Sequence, residues 1–433
     1  MVMALAAVAG AACTSSVPAA PGPSSAASPA VSATPVLSRD ERWAEDIASL
    51  VRRMEELHPD LTHGVSSEAI HTAADSLVER VPELSDDQIL VGLMGLVAMV
   101  SAHGRDGHMG IWPPDNPSAV HRFPLRLWEF PEGLFVTAAM EPHEDLVGSR
   151  IVAVNGRSID EVIARLDPVV PRDNASNLRA ARTVFLTSAE VLSGLGLAAE
   201  RSTLHLDVAT PKGGTRSEDV AAVSAEDFAA WVGGWELALP PRPGLRFTQR
   251  PNAHSVITYL SGPRALLVQY RVVDEASGDL VEAIRDAMAR HPVDRLILDL
   301  RANGGGEADG YRELLRFLTS GDVDRPGRLV VLVGRLTFSA GASLTVLLQR
   351  RATHAILMGE DTGGAPNIWA DTAEVTLPHS RLTALVPTEY FGIGGPDDRR
   401  LTVHPDIDAR FDADDYFEGR DPVLDAALSW SPG

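Results

Sequence analysis

Residues 296–306 read Leu296-Ile297-Leu298-Asp299-Leu300-Arg301-Ala302-Asn303-Gly304-Gly305-Gly306. A short, almost wholly apolar run without alternation predicts a strand buried on both faces, as in a parallel sheet. The glycines that follow let bare backbone N–H groups approach a ligand closely, so the turn is a candidate oxyanion cradle. Working outward, Ala265 to Tyr270 reads as a strand and Leu280 to Arg290 as a helix. Asp309 to Leu318 is a helix, Leu329 to Val333 a second buried strand, Ser339 to Arg350 a helix and Ala355 to Met358 a strand. Strand and helix alternate, which predicts an α/β layer with parallel strands over 251–433.

Upstream the pattern differs. Ser38-x-x-Glu41 and Ser85-x-x-Gln88 are capping boxes. The first opens a helix that runs to His58 and stops at Pro59. The second opens an apolar helix, Ile89 to Val100, whose length suits a buried helix rather than a membrane span. Residues 38–120 are expected to be a helical unit and 121–250 a β-rich one. In the latter, Leu125-Leu127, Leu134-Val136 and Ile151-Val154 read as strands and Asn155-Gly156 as a tight turn. A helix near Asn177 to Leu192, a strand over Thr203 to Ala209 and a Gly/Pro link at Pro240 to Gly244 complete it.

Composition bounds the function. The 433 residues are 45% apolar and 22% charged, and no apolar run reaches the roughly 18 residues of a membrane span, which excludes a multi-pass membrane protein. Lys and Arg number 38 against 59 Asp and Glu, a net charge of −21 that repels nucleic acid, so no nucleic-acid partner is expected. Cys13 is the single cysteine, which rules out an intramolecular disulfide and a Cys-based zinc site. His58 and His63, like His103 and His108, are five apart, poor spacing for two ligands on one helical face. No metal or other cofactor is expected.

Chemistry is expected where three segments of the α/β unit meet. Beside the glycine turn, Thr337-Phe338-Ser339-Ala340-Gly341-Ala342 opens a helix and puts the Ser339 hydroxyl at the positive end of its dipole. Gly359-Glu360-Asp361-Thr362-Gly363-Gly364 is a turn that could line the same cleft. Taken singly, a serine there is most often an N-cap and a glycine turn merely a turn.

Taken together, Leu298-Asp299-Leu300-Arg301-x-Asn303-x-Gly305-Gly306, Thr337-Phe338-Ser339-Ala340, Gly359-Glu360-x-Thr362-x-Gly364 and Val403-x-Pro405-Asp406-Ile407 resemble the C-terminal-processing, or tail-specific, serine peptidase family. The resemblance implies a crotonase/ClpP-like α/β catalytic domain, a polypeptide substrate and Ser339 as nucleophile. The family's classical branch pairs serine with lysine, but Gly364 stands at that place, and Lys212, in a Pro-Lys-Gly-Gly turn, is the sole lysine. The branch similar to the tricorn protease core uses serine, histidine and an acid, and Asp106-Gly107-His108 resembles its Asp-x-His element. His108 is thus the candidate base, with Gly305 and Ala340 as oxyanion donors. Asp397 or Asp398 would be the acid, with Asp106 and Glu360 as alternatives, and Asp406 is read as structural. The rival is a non-catalytic small-molecule or peptide-binding protein on this scaffold. Acyl-CoA chemistry, a third reading, leaves Ser339 without a role.

Two further resemblances concern organisation. Gly148 to Gly156 with Ile159-Asp160-Glu161-Val162 resembles part of a PDZ domain. Met1 to Ala12, ending in Gly10-Ala11-Ala12 before Cys13, resembles a bacterial lipoprotein signal over 1–13. It is followed at 14–37 by a Ser/Ala/Pro stretch that behaves as a tether. The expectation is an extracytoplasmic protein, secreted or held at the membrane only through a lipid on Cys13.

Overall fold

The computed structural model describes residues 37–112, 120–234 and 236–432, so Cys13 and the tether lie outside the described residues. The N-terminal helices are α1 (Arg39–Leu57), α2 (Ser67–Arg80) and α3 (Asp86–Val100). Both capping boxes are formed, with Ser38 exchanging bonds with Glu41 and Ser85 with Gln88. Strands β1 (Gly110–Trp112) and β2 (His121–Arg122) follow. An antiparallel sheet is then built from β3 (Leu125–Phe130), β4 (Gly133–Ala139), β5 (Arg150–Val154), β6 (Arg157–Ser158), β7 (Thr203–Ala209) and β8 (Thr215–Ala221), in the order β3-β4-β5-β7-β8 with β6 on β5. Asn155 and Gly156 both take positive φ, 49° and 75°, as a type I′ hairpin turn demands.

Between β6 and β7 lie α4 (Ile159–Leu166), α5 (Ala175–Phe185) and α6 (Ala189–Gly194). The single helix expected near Asn177 to Leu192 is therefore two. Phe123 N–H bonds Thr187 O at 2.8 Å and Arg122 pairs with Ser188, so pairing with the chain at β2 interrupts the helix. Strand β9 (Val223–Ser224), which pairs with β2, and α7 (Ala225–Val232) lead out of this unit.

The second body is a six-stranded sheet of β10 (Ser255–Leu260), β11 (Ala265–Tyr270), β12 (Arg295–Asp299), β13 (Leu329–Val333), β14 (Ile356–Gly359) and β17 (Ile407–Asp408), in that order. β10 is antiparallel to β11, and the rest are parallel. Helices α8 (Ser277–Arg290), α9 (Arg312–Leu318) and α10 (Ser339–Arg351) cover the face that carries Leu266, Val268, Leu296 and Leu298. α12 (Pro422–Ser429), which follows α11 (Ala413–Glu418), covers the face of Ala265, Leu267, Ile297 and Val330. Apolar residues on both faces are what a strand sandwiched by helices requires, so the buried-run reading of 296–300 and 329–333 holds.

The two bodies are laced together by a hairpin the sequence did not announce, β15 (Asn367–Thr376) and β16 (Thr383–Gly392). β16 pairs with β1 as well as β15. Val375, Leu377, Leu382, Ala384 and Val386 join the apolar core of the N-terminal helices. Among the described residues no helix is long and apolar enough to cross a membrane.

Candidate active site

β13 brings the chain to the C-terminal edge of the parallel sheet, and α10 opens at Ser339 after a turn braced by two fully buried side chains. Thr337 Oγ1 donates to Leu300 O at 2.8 Å and accepts Gly334 N–H at 3.0 Å, joining the ends of β12 and β13. Asn303 Nδ2 donates to Tyr270 O at 2.8 Å, and its backbone carbonyl accepts Phe338 N–H at 3.0 Å. Ser339 is held at φ 50°, a left-handed conformation that costs a residue bearing a Cβ about 1–2 kcal/mol and persists only where its surroundings over-determine it. Phe338, not Ser339, occupies the N-cap, and no side-chain cap bond is made there. The hydroxyl is therefore not consumed by capping.

Gly305 faces this serine. At φ 108°, a Cβ placed on it would lie 2.5 Å from Ser339 Cβ and 3.0 Å from Oγ, so the turn must carry glycine to come this close. Ala340 N–H belongs to the first turn of α10, whose amides have no acceptor within the helix. Gly305 N–H points elsewhere, bonding Asn303 Oδ1 at 3.0 Å. Across the site, a Cβ on Gly364 would meet Ala342 Cβ at 2.5 Å and Ser339 N at 3.3 Å. The place where the classical branch carries its lysine is thus closed to a side chain. Lys212 is exposed in the turn between β7 and β8.

His108 reaches the same turn from the N-terminal body. Its ring stacks on Phe338, centroids 4.6 Å apart at 26°, one residue before Ser339. Both ring nitrogens are out of solvent without a hydrogen-bond partner, although part of the ring remains accessible. Burial holds the imidazole neutral, pushing its pKa down to about 3, and the nearby Trp369 backbone opposes this only weakly. The ring therefore carries a free lone pair, while the same burial penalises the imidazolium that forms when it takes a proton.

Among the described residues, the carboxylates expected to serve the site are bonded elsewhere or lie in solvent. Asp397 is exposed. Asp398 accepts Arg400 Nη2 at 2.7 Å and Arg400 N–H at 3.0 Å, and Arg400 holds it below the usual carboxylate range. Glu360 is gripped by Arg335 through two contacts at 3.1 and 3.0 Å. Burial would raise its pKa, but Arg335 brings it below the ordinary value. Asp406 accepts Leu357 N–H at 2.8 Å, bracing β14. Ser339, Gly305, Ala340 and His108 thus come to one turn, whereas Asp397 and Asp398 make no hydrogen bond to His108.

Asp106 is fully buried, and its Oδ2 faces Nε2 of His58 at 3.1 Å and Nε2 of His63 at 3.2 Å. Potential ligand atoms of the three lie within 4.8 Å of one another. Asp60 N–H, however, donates to His58 Nδ1 at 3.1 Å. That fixes the His58 proton on Nε2, so this ring offers Asp106 an N–H and has no lone pair there for an ion. The cluster is a hydrogen-bonded clamp. Its two histidines tilt against the Trp369 ring, with centroids 5.0 and 5.6 Å away.

Sequence reasoning missed the segment that ties these pieces together. Asn174 caps α5 while its Nδ2 donates to Thr362 O, Gly363 O and Leu401 O at 3.1, 2.9 and 2.7 Å. Asp173, fully buried, accepts Gly107 N–H at 2.6 Å and Ala365 N–H at 3.2 Å. The available signal was an Asp-Asn pair just ahead of a helix, which reads as an ordinary cap.

No family model matches the chain, and no curated protein matches it. Among solved structures, mature CPAF complexed with lactacystin is similar over 90% of this chain and 97% of that one, at 12% identity and a TM-score of 0.62. Mature CPAF in a second crystal structure matches over 90% and 96%, at 14% identity and a TM-score of 0.62. The photosystem II D1 C-terminal processing protease is a looser neighbour, covering 87% of this chain and 94% of that one at 15% identity, with a TM-score of 0.42. At such identities the likeness to CPAF is one of fold.

Proposed function

We propose that the protein is a serine peptidase acting on unfolded or tail-exposed polypeptides, with Ser339 as nucleophile and His108 as base. The observation that carries this is Ser339 itself, strained to φ 50°, uncommitted to capping and pressed against Gly305 beside a neutral buried imidazole. Ser339 Oγ attacks the scissile carbonyl carbon as its proton passes to His108. The oxyanion is stabilised by Ala340 N–H and by Gly305 N–H once it leaves Asn303. The C–N bond then breaks, His108 returns the proton to the leaving amine, and water hydrolyses the acyl-serine by the reverse proton path.

The core is read as crotonase-like and the Gly148 to Val162 stretch as part of a PDZ-like docking unit. The protein is read as exported, with a lipid on Cys13, for which mass spectrometry of the membrane fraction is the check. Fluorophosphonate labelling of the full chain tests the enzymatic reading. Label is expected on Ser339, lost in Ser339→Ala and His108→Ala, and kept in Asp397→Asn. The rival, a binding protein on the same scaffold, draws on one observation, that neither ring nitrogen of His108 is hydrogen-bonded. A folded chain that fails to label between pH 6 and 9 would favour it.

A further inference from the structure

His108 and Ser339 come from different bodies of the molecule, so something must fix the distance between them. Among the described residues no carboxylate bonds the His108 ring, and Asp106, Asp398 and Glu360 are held by His58 and His63, Arg400 and Arg335 respectively. Asp173 instead reaches the backbone on both sides. Its Oδ1 receives the amide of Gly107, the residue before His108, at 2.6 Å. Its Oδ2 receives the amide of Ala365 at 3.2 Å, the residue after Gly364, which packs on Ser339 N. The Asp173 backbone carbonyl also accepts Arg105 N–H at 3.0 Å, so the His108 loop is gripped twice. We propose that Asp173, in its ionised form, is a positioning residue that sets His108 against Ser339 by holding one amide from each side of the site. The proposal rests on the peptidase reading for its effect on rate, but not for the grip itself.

The chemistry gives the grip a pH dependence. An ionised carboxylate accepts both amides through charge-assisted bonds, whereas a protonated one turns an O–H toward one of them. Burial raises Asp173 to about 7; the Gly107 and Ala365 amides pull it down, Asp106 pushes it up and Arg105 pulls it down. Asp106 itself is held by His58 and His63, and Asn177 on α5 contributes a neutral amide, accepting Asp173 N–H at 3.0 Å. His108 is already neutral throughout the range above about pH 3. A rise in labelling through pH 7 that disappears in Asp173→Asn therefore reports Asp173 and not the base.

The test is the rate of fluorophosphonate labelling from pH 5 to 9 in the full chain and in Asp173→Asn, together with amide hydrogen exchange, corrected for intrinsic rates, over 105–109 and 362–367. Labelling of the unmodified chain is expected to climb on the order of tenfold through pH 7, with Asp173→Asn slow and flat and His108→Ala silent. Protection of Gly107 and Ala365 should change with pH over the range in which Asp173 ionises and be independent of pH in Asp173→Asn. An Asp173→Asn variant that keeps the rise near pH 7 overturns the proposal, as does exchange in the unmodified chain that is indifferent to pH. If Asp173→Asn fails to fold, the pH dependence of exchange in the unmodified chain decides alone. If the chain never labels yet exchange follows pH as stated, the peptidase reading falls and the Asp173 grip stands.

Discussion

The serine side and the histidine side of this site are built in opposite ways. On the serine side the bracing bonds are short in sequence: Thr337 to Leu300 spans 37 positions and Asn303 to Tyr270 spans 33. On the histidine side Asn174 reaches 188 positions to Thr362 and Asp173 reaches 192 to Ala365. One half of the chemistry is thus a property of consecutive strand-turn units, and the other depends on two bodies docking correctly. Damage to the first should disable chemistry with the molecule otherwise intact, and damage to the second should cost docking and chemistry together.

The largest effect expected from this contrast is at Gly305. Gly305→Ala drives a Cβ to 2.5 Å from Ser339 Cβ at a φ of 108°, so the serine or the glycine turn must move. The labelling rate should fall at least a hundredfold, roughly 3 kcal/mol of barrier. Because the change is confined to the mouth of the sheet, hydrogen exchange over 105–109 should stay as it was. A loss of protection there would show that the two halves are not separable.

Next comes Asn174→Ala. It removes the cap of α5 and takes the Asn174 donor from the carbonyls of Gly363, Leu401 and Thr362, the last of which keeps Thr402 Oγ1, a cost of about 2 kcal/mol of stability. Denaturant unfolding measures the stability, and labelling should fall in parallel. Activity lost without any loss of stability would place Asn174 in the chemistry instead of the docking.

The same contrast explains what was legible in the sequence. The strand at 296–300, the strand at 329–333 and the helix opening at Ser339 were readable because buried runs, glycine turns and helix starts are local signals. His108 was reached only through the resemblance of Asp106-Gly107-His108, since nothing in its own neighbourhood says that Phe338 lies under it. Asp173 and Asn174 looked like a helix cap, which Asn174 is, and their second task depends on residues nearly 200 positions away. The hairpin over 367–392 was missed for a related reason. Its alternation of inward and outward residues is interrupted, and it is held by β1 and by the core of the first body. His58 and His63 were set aside as badly spaced for a helical face, whereas the fold gathers them around Asp106 from outside any shared helix.

The smallest effect is also the most discriminating, because it pits two buried groups against each other. His108 is about 3 when folded and near 6.5 when unfolded, so between those values the unfolded chain binds the extra proton. Stability from this group is complete above about pH 6.5 and is lost as pH falls toward 3. Asp173 is about 7 when folded and near 3.9 when unfolded, so the folded chain keeps the extra proton there, and stability from this group is lost as pH rises from about 4 to 7. Over roughly pH 4.5 to 6 the two slopes oppose each other and nearly cancel. The unmodified chain should therefore show little pH dependence from this site in denaturant titrations. His108→Phe, which keeps a ring on Phe338, should make stability fall as pH rises, and Asp173→Asn should make it climb, each by about 1 kcal/mol per pH unit. Slopes of the same sign in both variants would mean that burial does not shift one of the two groups in the stated direction, and the docking of the histidine side around Asp173 would have to be redrawn.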